Sequence, residues 1–516
     1  MKSKVLTLGL ILSGLFAQLQ MPSFAYDAWK NDLRSLFISN KSIIYTLNIR
    51  NFAAQDKNDN DIIEPHLGDV SGTFLNAADR LQELTKLGIN TIYLLPITKT
   101  GKLKALGTAG SLYALDSFDE LSPDLDDKKN PMTVEQEATL FIKKAHRLGL
   151  RVIVDIPSCG SYDMSLAYPD LFLKQKGEAL IPADWTDVRA FKVYDGREKL
   201  NPELVENYKK LVKLIQDIGA DGIRADVAAI KPGEFWKEII DYARMKVPEF
   251  LFIAEACTNW ENPLKPHGTY ATVDELLEAG FDGYYGRWNN FKEITKAKDF
   301  IERVEENIKI SKKYDGKKTT MSAFATHDQQ SPIVMGGLAM WDMITWLNLT
   351  LPHNPYFLDG FTTGDDYIYR FENKKADKSL TDDDYYFVHR GKFDIFNFSR
   401  QPNGKHINLK DKFVRALKFK YWARHILIDG EFIALNTASP NVFAYARKMG
   451  NESVVVVGNL NKQEEITTDV KIKNLRPTSY VSPVKMGAAP KILRSKMKVT
   501  LKPCEIQVYL LNKVNF

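Results

Sequence analysis

The chain reads as an α/β protein built on a closed (β/α)8 TIM barrel, and three observations carry that reading. A unit of amphipathic helix, glycine and apolar strand recurs along the chain. Eight strand-like runs can be counted between residues 42 and 358. Most of them are apolar throughout, as strands buried on both faces of a parallel sheet must be.

The elements follow in order. Residues 42–49 read as the first strand. Phe74, Ala77, Leu81, Leu84 and Leu87 fall at helical spacing, Gly88 suits the left-handed residue that ends a helix, and 89–95 follow as the second strand. Residues 134–148 repeat the helix, Gly149 its end, and 150–156 the strand. Leu204, Tyr208, Leu211, Ile215 and Ile218 repeat it again, with Gly219 and a strand over 221–226. Residues 249–254, 281–285, 320–325 and 355–358 supply the remaining four strands. Between Asp155 and Glu203 the periodicity fades over about 45 residues, long for a barrel loop. That predicts a short excursion domain over 157–200, inserted after the third strand. After Ile428 short alternating runs at 441–448, 453–459, 498–501 and 505–511 predict a C-terminal antiparallel β-sandwich over 429–516, leaving 26–428 to the barrel.

The N-terminus reads as a leader. Lys2 and Lys4 precede an apolar run over 5–17, too short to span a membrane, and Ser23-Phe24-Ala25 offers small residues at both cleavage positions. A signal peptide over 1–25 is expected, with a secreted or periplasmic chain starting near Tyr26. No later run has the length and apolarity of a membrane span. The chain is 44% apolar and 26% charged, enough for a real core. A net charge of +5 without a compact Lys/Arg tract gives no case for a nucleic-acid partner. Three cysteines (Cys159, Cys257, Cys504) cannot form a full disulfide framework. A Cys159–Cys257 bridge is open, and buried free thiols are expected.

Barrel enzymes place their chemistry at the C-terminal ends of the strands. Those ends give a short list here. Gly222-Ile223-Arg224-Ala225-Asp226 puts a cation and a carboxylate two residues apart, on one face of a strand, where the guanidinium favours the ionised acid. An ionised carboxylate so placed suits a nucleophile for a sugar. Asp155 ends the third strand, Glu255 the fifth, and His327-Asp328 follow the seventh. A polar run alternates oxygen donors at Asp56, Asn58, Asn60 and Glu64, with a backbone carbonyl near Ile62, a pattern that suits calcium.

These motifs resemble glycoside hydrolase family 13, the α-amylase family. Gly222 to Asp226 resembles its Gly-x-Arg-x-Asp motif, Ala254-Glu255 its acid/base motif, and Thr326-His327-Asp328 its Asn-His-Asp motif. Val154-Asp155 resembles the start of the motif that normally ends in Asn-His, and Leu200-Asn201-Pro202-Glu203-Leu204 the short motif of the excursion domain. The resemblance implies a retaining glycosidase acting on α-1,4-linked glucan or malto-oligosaccharide. Asp226 would be the nucleophile and Glu255 the acid/base, with carboxyls about 5–5.5 Å apart. Asp328 would stabilise the oxocarbenium-like transition state. Arg224, His327, Tyr113 and Asp155 would bind or orient substrate, Tyr113 by stacking on the sugar. Burial should raise the pKa of Glu255 while Asp226 stays charged. The run from Asp56 to Glu64 is similar to a family calcium loop.

The chain also departs from the family. Pro157-Ser158-Cys159-Gly160 stands where Asn-His is usual, and Val227-Ala228-Ala229-Ile230 lacks the Lys-His pair of many starch-cleaving members. Hydrolysis is the first reading. A transglycosylase with the same site is the alternative, and a catalytically decayed glucan-binding protein is the alternative from another class.

Overall fold

The structure is a computed structural model. It describes residues 30–55, 57, 63, 65–105, 111–182, 185–196, 199–258, 271–288, 291–366, 408–476, 479–485 and 490–512. The expected leader and the run from Asp56 to Glu64, apart from Lys57 and Ile63, lie outside those residues.

Eight strands form the barrel: β1 (Ile44–Leu47), β2 (Thr91–Leu94), β3 (Arg151–Ile156), β4 (Gly222–Ala225), β5 (Leu251–Ala254), β6 (Gly283–Tyr284), β7 (Thr319–Thr320) and β8 (Tyr356–Leu358). Their order is β7-β6-β5-β4-β3-β2-β1-β8, every pairing parallel. A parallel bridge between Met321 and Asn354 closes the seam. Side chains alternate across the wall, as a strand requires. Ile44, Tyr93, Leu95, Ile153, Leu251, Ile253, Tyr285, Met321 and Tyr356 fill the interior. Ile92, Leu94, Val152, Val154, Ile223, Ala225 and Phe252 face outward to the helices. The seventh strand is shorter than the run 320–325. Beyond Thr320 the amides of Ala323 and Phe324 turn back to the carbonyls of Met321 and Ser322, which ends the ladder.

The helices begin and end where their signals stand. Thr73 and Asn76 cap one another at the start of Phe74–Leu87, and Thr133 and Gln136 do the same for Val134–Arg147. Asn201 caps Pro202–Asp217, with Pro202 in the first turn. Gly88, Gly149 and Gly219 follow these three helices with φ of 92°, 78° and 99°.

The N-terminal end of the barrel is closed by the helix Leu33–Ile38, whose Leu33 and Phe37 join the interior cluster. Gly283 has no room for a side chain there, since a Cβ would lie 2.6 Å from the Phe37 ring. Fully buried Asp282 accepts from Arg34 (2.8 Å), Arg244 (2.7 Å) and the Phe252 amide (3.1 Å). Asp221 likewise bonds His146 and the Val152 amide, each at 2.8 Å. Charge on this face serves stability.

The segment after β3 holds the helix Tyr162–Ala167 and short hairpins. Its main sheet is not self-contained. Ala114–Leu115, from the loop after β2, pairs with Cys159–Ser161, which pairs with Val188–Ala190. The C-terminal region forms a five-stranded antiparallel sheet and a three-stranded one. Glu431–Leu435, Ile466–Lys471, Tyr480–Lys485 and Lys491–Leu493 add strands to those legible in the sequence. This region is joined to the barrel by a shared core, in which Phe300 and Phe443 lie 4.3 Å apart. Buried Arg447 of the C-terminal region ties the seam, beside buried Lys420 on the barrel side. Lys420 donates to the carbonyl of Leu349, and Arg447 to those of Thr350, Ile428 and Gly430. All three cysteines are free and buried. No described helix is long and apolar enough to cross a membrane.

Candidate active site

Strand register builds the site. Arg224 on β4 is level with Asp155 on β3 and Ile253 on β5. One residue further, Ala225 is level with Ala254. The next residues, Asp226 and Glu255, therefore leave neighbouring strands side by side. Strands about 4.8 Å apart suit a paired-carboxylate site.

Arg224 is fully buried and forms the hub. Its Nη1 donates to both oxygens of Asp155 (2.9 Å each) and to Asp226 Oδ1 (3.2 Å). Its Nη2 lies 2.7 Å from Glu255 Oε1, and its Nε donates to the Tyr285 hydroxyl at 3.0 Å. One guanidinium thus fixes three carboxyl groups from successive strand ends. Asp155 also accepts from the hydroxyls of Tyr93 (2.7 Å) and Tyr113 (2.8 Å). The Tyr113 hydroxyl lies 2.7 Å from His327 Nε2, and the two rings stack at 5.7 Å and 9°. His327 Nε2 lies 3.4 Å from Asp328 Oδ2, and the Asp328 side chain is 44% exposed against 14% for Asp226. Asp328 is the carboxylate of the set that faces solvent most openly.

The turn after β4 is strained. Val227, a β-branched residue, takes φ 34° and ψ 51°. That conformation costs about 1–3 kcal/mol. It aims the Val227 amide at Glu255 Oε2 (2.7 Å), while the Ala228 amide reaches the Glu255 carbonyl at 3.1 Å. Asp226 is held from the other side by the Ser158 amide at 3.3 Å. The Ser158 hydroxyl donates to the Asp226 carbonyl.

The electrostatics separate the acids. Burial pushes Glu255 well above the ordinary glutamate range; Arg224 opposes this, and the charges of Asp226 and Asp328 add to it. Burial also raises Asp226 from the ordinary aspartate range. Arg224, the Ser158 amide and a hydrogen bond with Glu255 pull it back down. Burial takes Asp155 up to about 7 against the pull of Arg224. The arrangement can hold a proton on Glu255 beside a more acidic Asp226.

Every expected catalytic and sugar-contacting residue (Asp155, Arg224, Asp226, Glu255, His327, Asp328 and Tyr113) stands at this end of the barrel. The candidate calcium ligands Asp56, Asn58, Asn60, Ile62 and Glu64 lie outside the described residues. Among the described residues no group of three or more His, Cys, Asp or Glu is placed to hold a metal. Tyr93, Tyr285 and Ser158 were not singled out in the sequence. Tyr93 was accessible to strand alternation, because it is two residues from inward-facing Leu95. Ser158 carries no local signal.

The strand ends thus gather one Arg and four carboxyl groups, Asp155, Asp226, Glu255 and, at the rim, Asp328, at one mouth of the (β/α)8 barrel. The chain's homologues and structural neighbours are members of the α-amylase family, glycoside hydrolase family 13. "Alpha-amylase 3" of Dictyoglomus thermophilum is 21% identical over 84% of this chain and 88% of that protein. An α-1,4-glucan:maltose-1-phosphate maltosyltransferase of Arcanobacterium haemolyticum is 26% identical over 37% of this chain; the match spans only 29% of that relative's length. An α-amylase from Lactobacillus plantarum has the same fold, with a TM-score of 0.64 at 19% identity over 92% of this chain and 99% of that one. No family model matches.

Proposed function

We propose that this protein is a retaining α-glucan-active enzyme that cleaves α-1,4-glucosidic bonds by double displacement. The observation that carries the reading is the shared guanidinium. Arg224 ties Asp226 and Glu255 side by side while their acidities are pushed apart. Protonated Glu255 gives its proton to the glycosidic oxygen as that bond breaks. The Asp226 carboxylate attacks the anomeric carbon from the opposite face and forms a β-glycosyl ester. Asp328, His327 and Tyr113 line the same mouth and hold the ring through its charge build-up. Glu255, now ionised, takes a proton from water, which attacks the same carbon and releases the sugar with its α configuration retained.

The test is incubation with maltoheptaose, following products by mass, with Asp226→Asn as control. Shorter oligosaccharides support hydrolysis. Transfer is the second reading, favoured by the maltosyltransferase relatives, and longer oligosaccharides would support it. Binding without turnover would sink the enzyme reading in favour of a glucan-binding protein. Export belongs to the proposal, on the strength of the basic and apolar run over residues 2–17, and N-terminal sequencing of the exported protein tests it. So does calcium at Asp56 to Glu64. A melting temperature that falls on chelation in the parent chain but not in Asp56→Ala supports that site; equal melting in both counts against it.

A further inference from the structure

Lys231 has no place in the mechanism above, yet it is 1% exposed. Lysine is almost never buried to that extent unless paired. Among the described residues its ammonium makes no ion pair, and its hydrogen bond goes to the carbonyl of Ser158 at 2.7 Å. Aromatic rings cage it: Tyr208 at 5.0 Å, Phe191 at 5.8 Å, Trp236 at 5.9 Å and Phe235 at 6.0 Å. Ring faces attract a desolvated cation, which offsets part of the cost of burying it.

The cage members hold backbone as well. The Tyr208 hydroxyl donates to the carbonyl of Pro157 at 2.9 Å, and Trp236 Nε1 to that of Ala228 at 2.8 Å. The two backbone segments that flank Asp226 are therefore clamped from one side by one cluster. Phe191 brings the excursion domain into it. The clamped turn is the one that touches the nucleophile. Ser158 gives its amide to Asp226 Oδ2 and its hydroxyl to the Asp226 carbonyl.

We propose that Lys231 is a positioning residue for Asp226, its caged ammonium fixing the turn at Pro157 and Ser158 so that the Ser158 amide stays on the nucleophile's carboxylate. The proposal rests on Asp226 being the nucleophile. It also accounts for the departure at Pro157-Ser158-Cys159-Gly160, because the turn supplies backbone and hydroxyl contacts rather than side-chain amide or imidazole. Burial lowers Lys231 to about 8, and the groups facing it are Cys159, Asp226 and Tyr208. The ammonium is thus charged at neutral pH.

The Ser158 amide makes Asp226 more acidic. Losing that contact raises the pKa of the nucleophile, so the acid limb of kcat/KM moves to higher pH. Arg224, Glu255, Asp155 and Asp328 also face Asp226 and are unaltered in the variants below. Lys231→Met should lower kcat/KM at least tenfold, as sub-ångström to ångström misplacement of a reacting group does, and shift the acid limb upward. Lys231→Arg, which keeps the charge, should recover part of both. Tyr208→Phe, which leaves the cage folded, should shift the limb in the same direction by less. A merely structural lysine would lower the melting temperature and leave the acid limb in place, and that result overturns the proposal. If the parent enzyme turns over no glucan, the functional reading fails instead. The lock is then read by hydrogen exchange of the peptide containing Ser158, faster in Lys231→Met if the lock exists and unchanged if it does not.

Discussion

Removing one hydroxyl tests the hydrogen-bonded mouth of the barrel. In Tyr113→Phe the ring remains stacked on His327 at 5.7 Å, but its links to Asp155 (2.8 Å) and His327 (2.7 Å) disappear. Asp155 keeps Arg224 and Tyr93 as donors, so it stays paired. The change removes two hydrogen bonds, and the one to the Asp155 carboxyl dominates the loss at about 1.5–3 kcal/mol. Water reaches the partly exposed site and restores some of that, leaving about 1.5–2 kcal/mol. At 1.4 kcal/mol per factor of ten, kcat/KM on maltoheptaose should fall about 10- to 30-fold. Tyr113→Ala also removes the stacked ring, a further ~0.5–1.5 kcal/mol, for a total loss near 100-fold. Initial rates over a substrate series give both numbers. A Tyr113→Phe enzyme within twofold of the parent would show that the hydroxyl network does not hold the site. Equal losses in Phe and Ala variants would show that the ring contributes nothing.

Other outcomes follow from the same structure. Glu255 must carry a proton and Asp226 must not, so kcat/KM falls as pH rises through the raised pKa of Glu255 and as it drops through that of Asp226. Glu255→Gln should remove about 10²- to 10⁴-fold of rate and abolish the alkaline limb; a limb that survives would assign it to another group. Asp282→Ala at the barrel base leaves Arg34 and Arg244 facing each other without their shared carboxylate. It should cost about 3–5 kcal/mol in denaturant unfolding while kcat/KM of the folded enzyme stays the same; a matching loss of rate would mean the base is coupled to the mouth. Burial raises all three thiols, Cys159 to about 12. A thiol reagent should therefore titrate none of them in the native protein and three in denaturant, and prompt native labelling would contradict their burial.

Much of the fold was legible because it depends on periodicity. Each barrel strand falls within or one residue beyond its expected run, since buried parallel strands are mostly apolar and the glycines after three of the helices mark where β2, β3 and β4 begin. The acids at strand ends were legible for a related reason: once the strands are placed, Asp226 and Glu255 can only be neighbours. What stayed hidden depends on contacts distant in sequence. Nothing local distinguishes Lys231 from any surface lysine, because its cage comes from Phe191, Tyr208, Phe235 and Trp236. The register between Ala114–Leu115 and Cys159–Ser161 joins two loops whose runs are too short to show alternation. Strands such as Ile466–Lys471 were hidden by Thr and Lys on the solvent face of a small sheet.

The seam between barrel and β-sandwich bears on how this protein comes apart. The segment Pro332–Thr350, two helices joined by a kink at Gly336 and Gly337, ends with carbonyls that are answered from beyond residue 410, by Lys420 and by Arg447 of the sandwich. Phe443 and Tyr445 continue the aromatic core that begins around Phe300. A cut near residue 428 would leave Lys420 in place but take Arg447 from the helix end, and would open a hydrocarbon face on both fragments. The two regions differ in topology, but they form one cooperative unit and should melt in a single transition. A sandwich grafted from elsewhere could replace this one only if it brought its own buried cation to the same helix end.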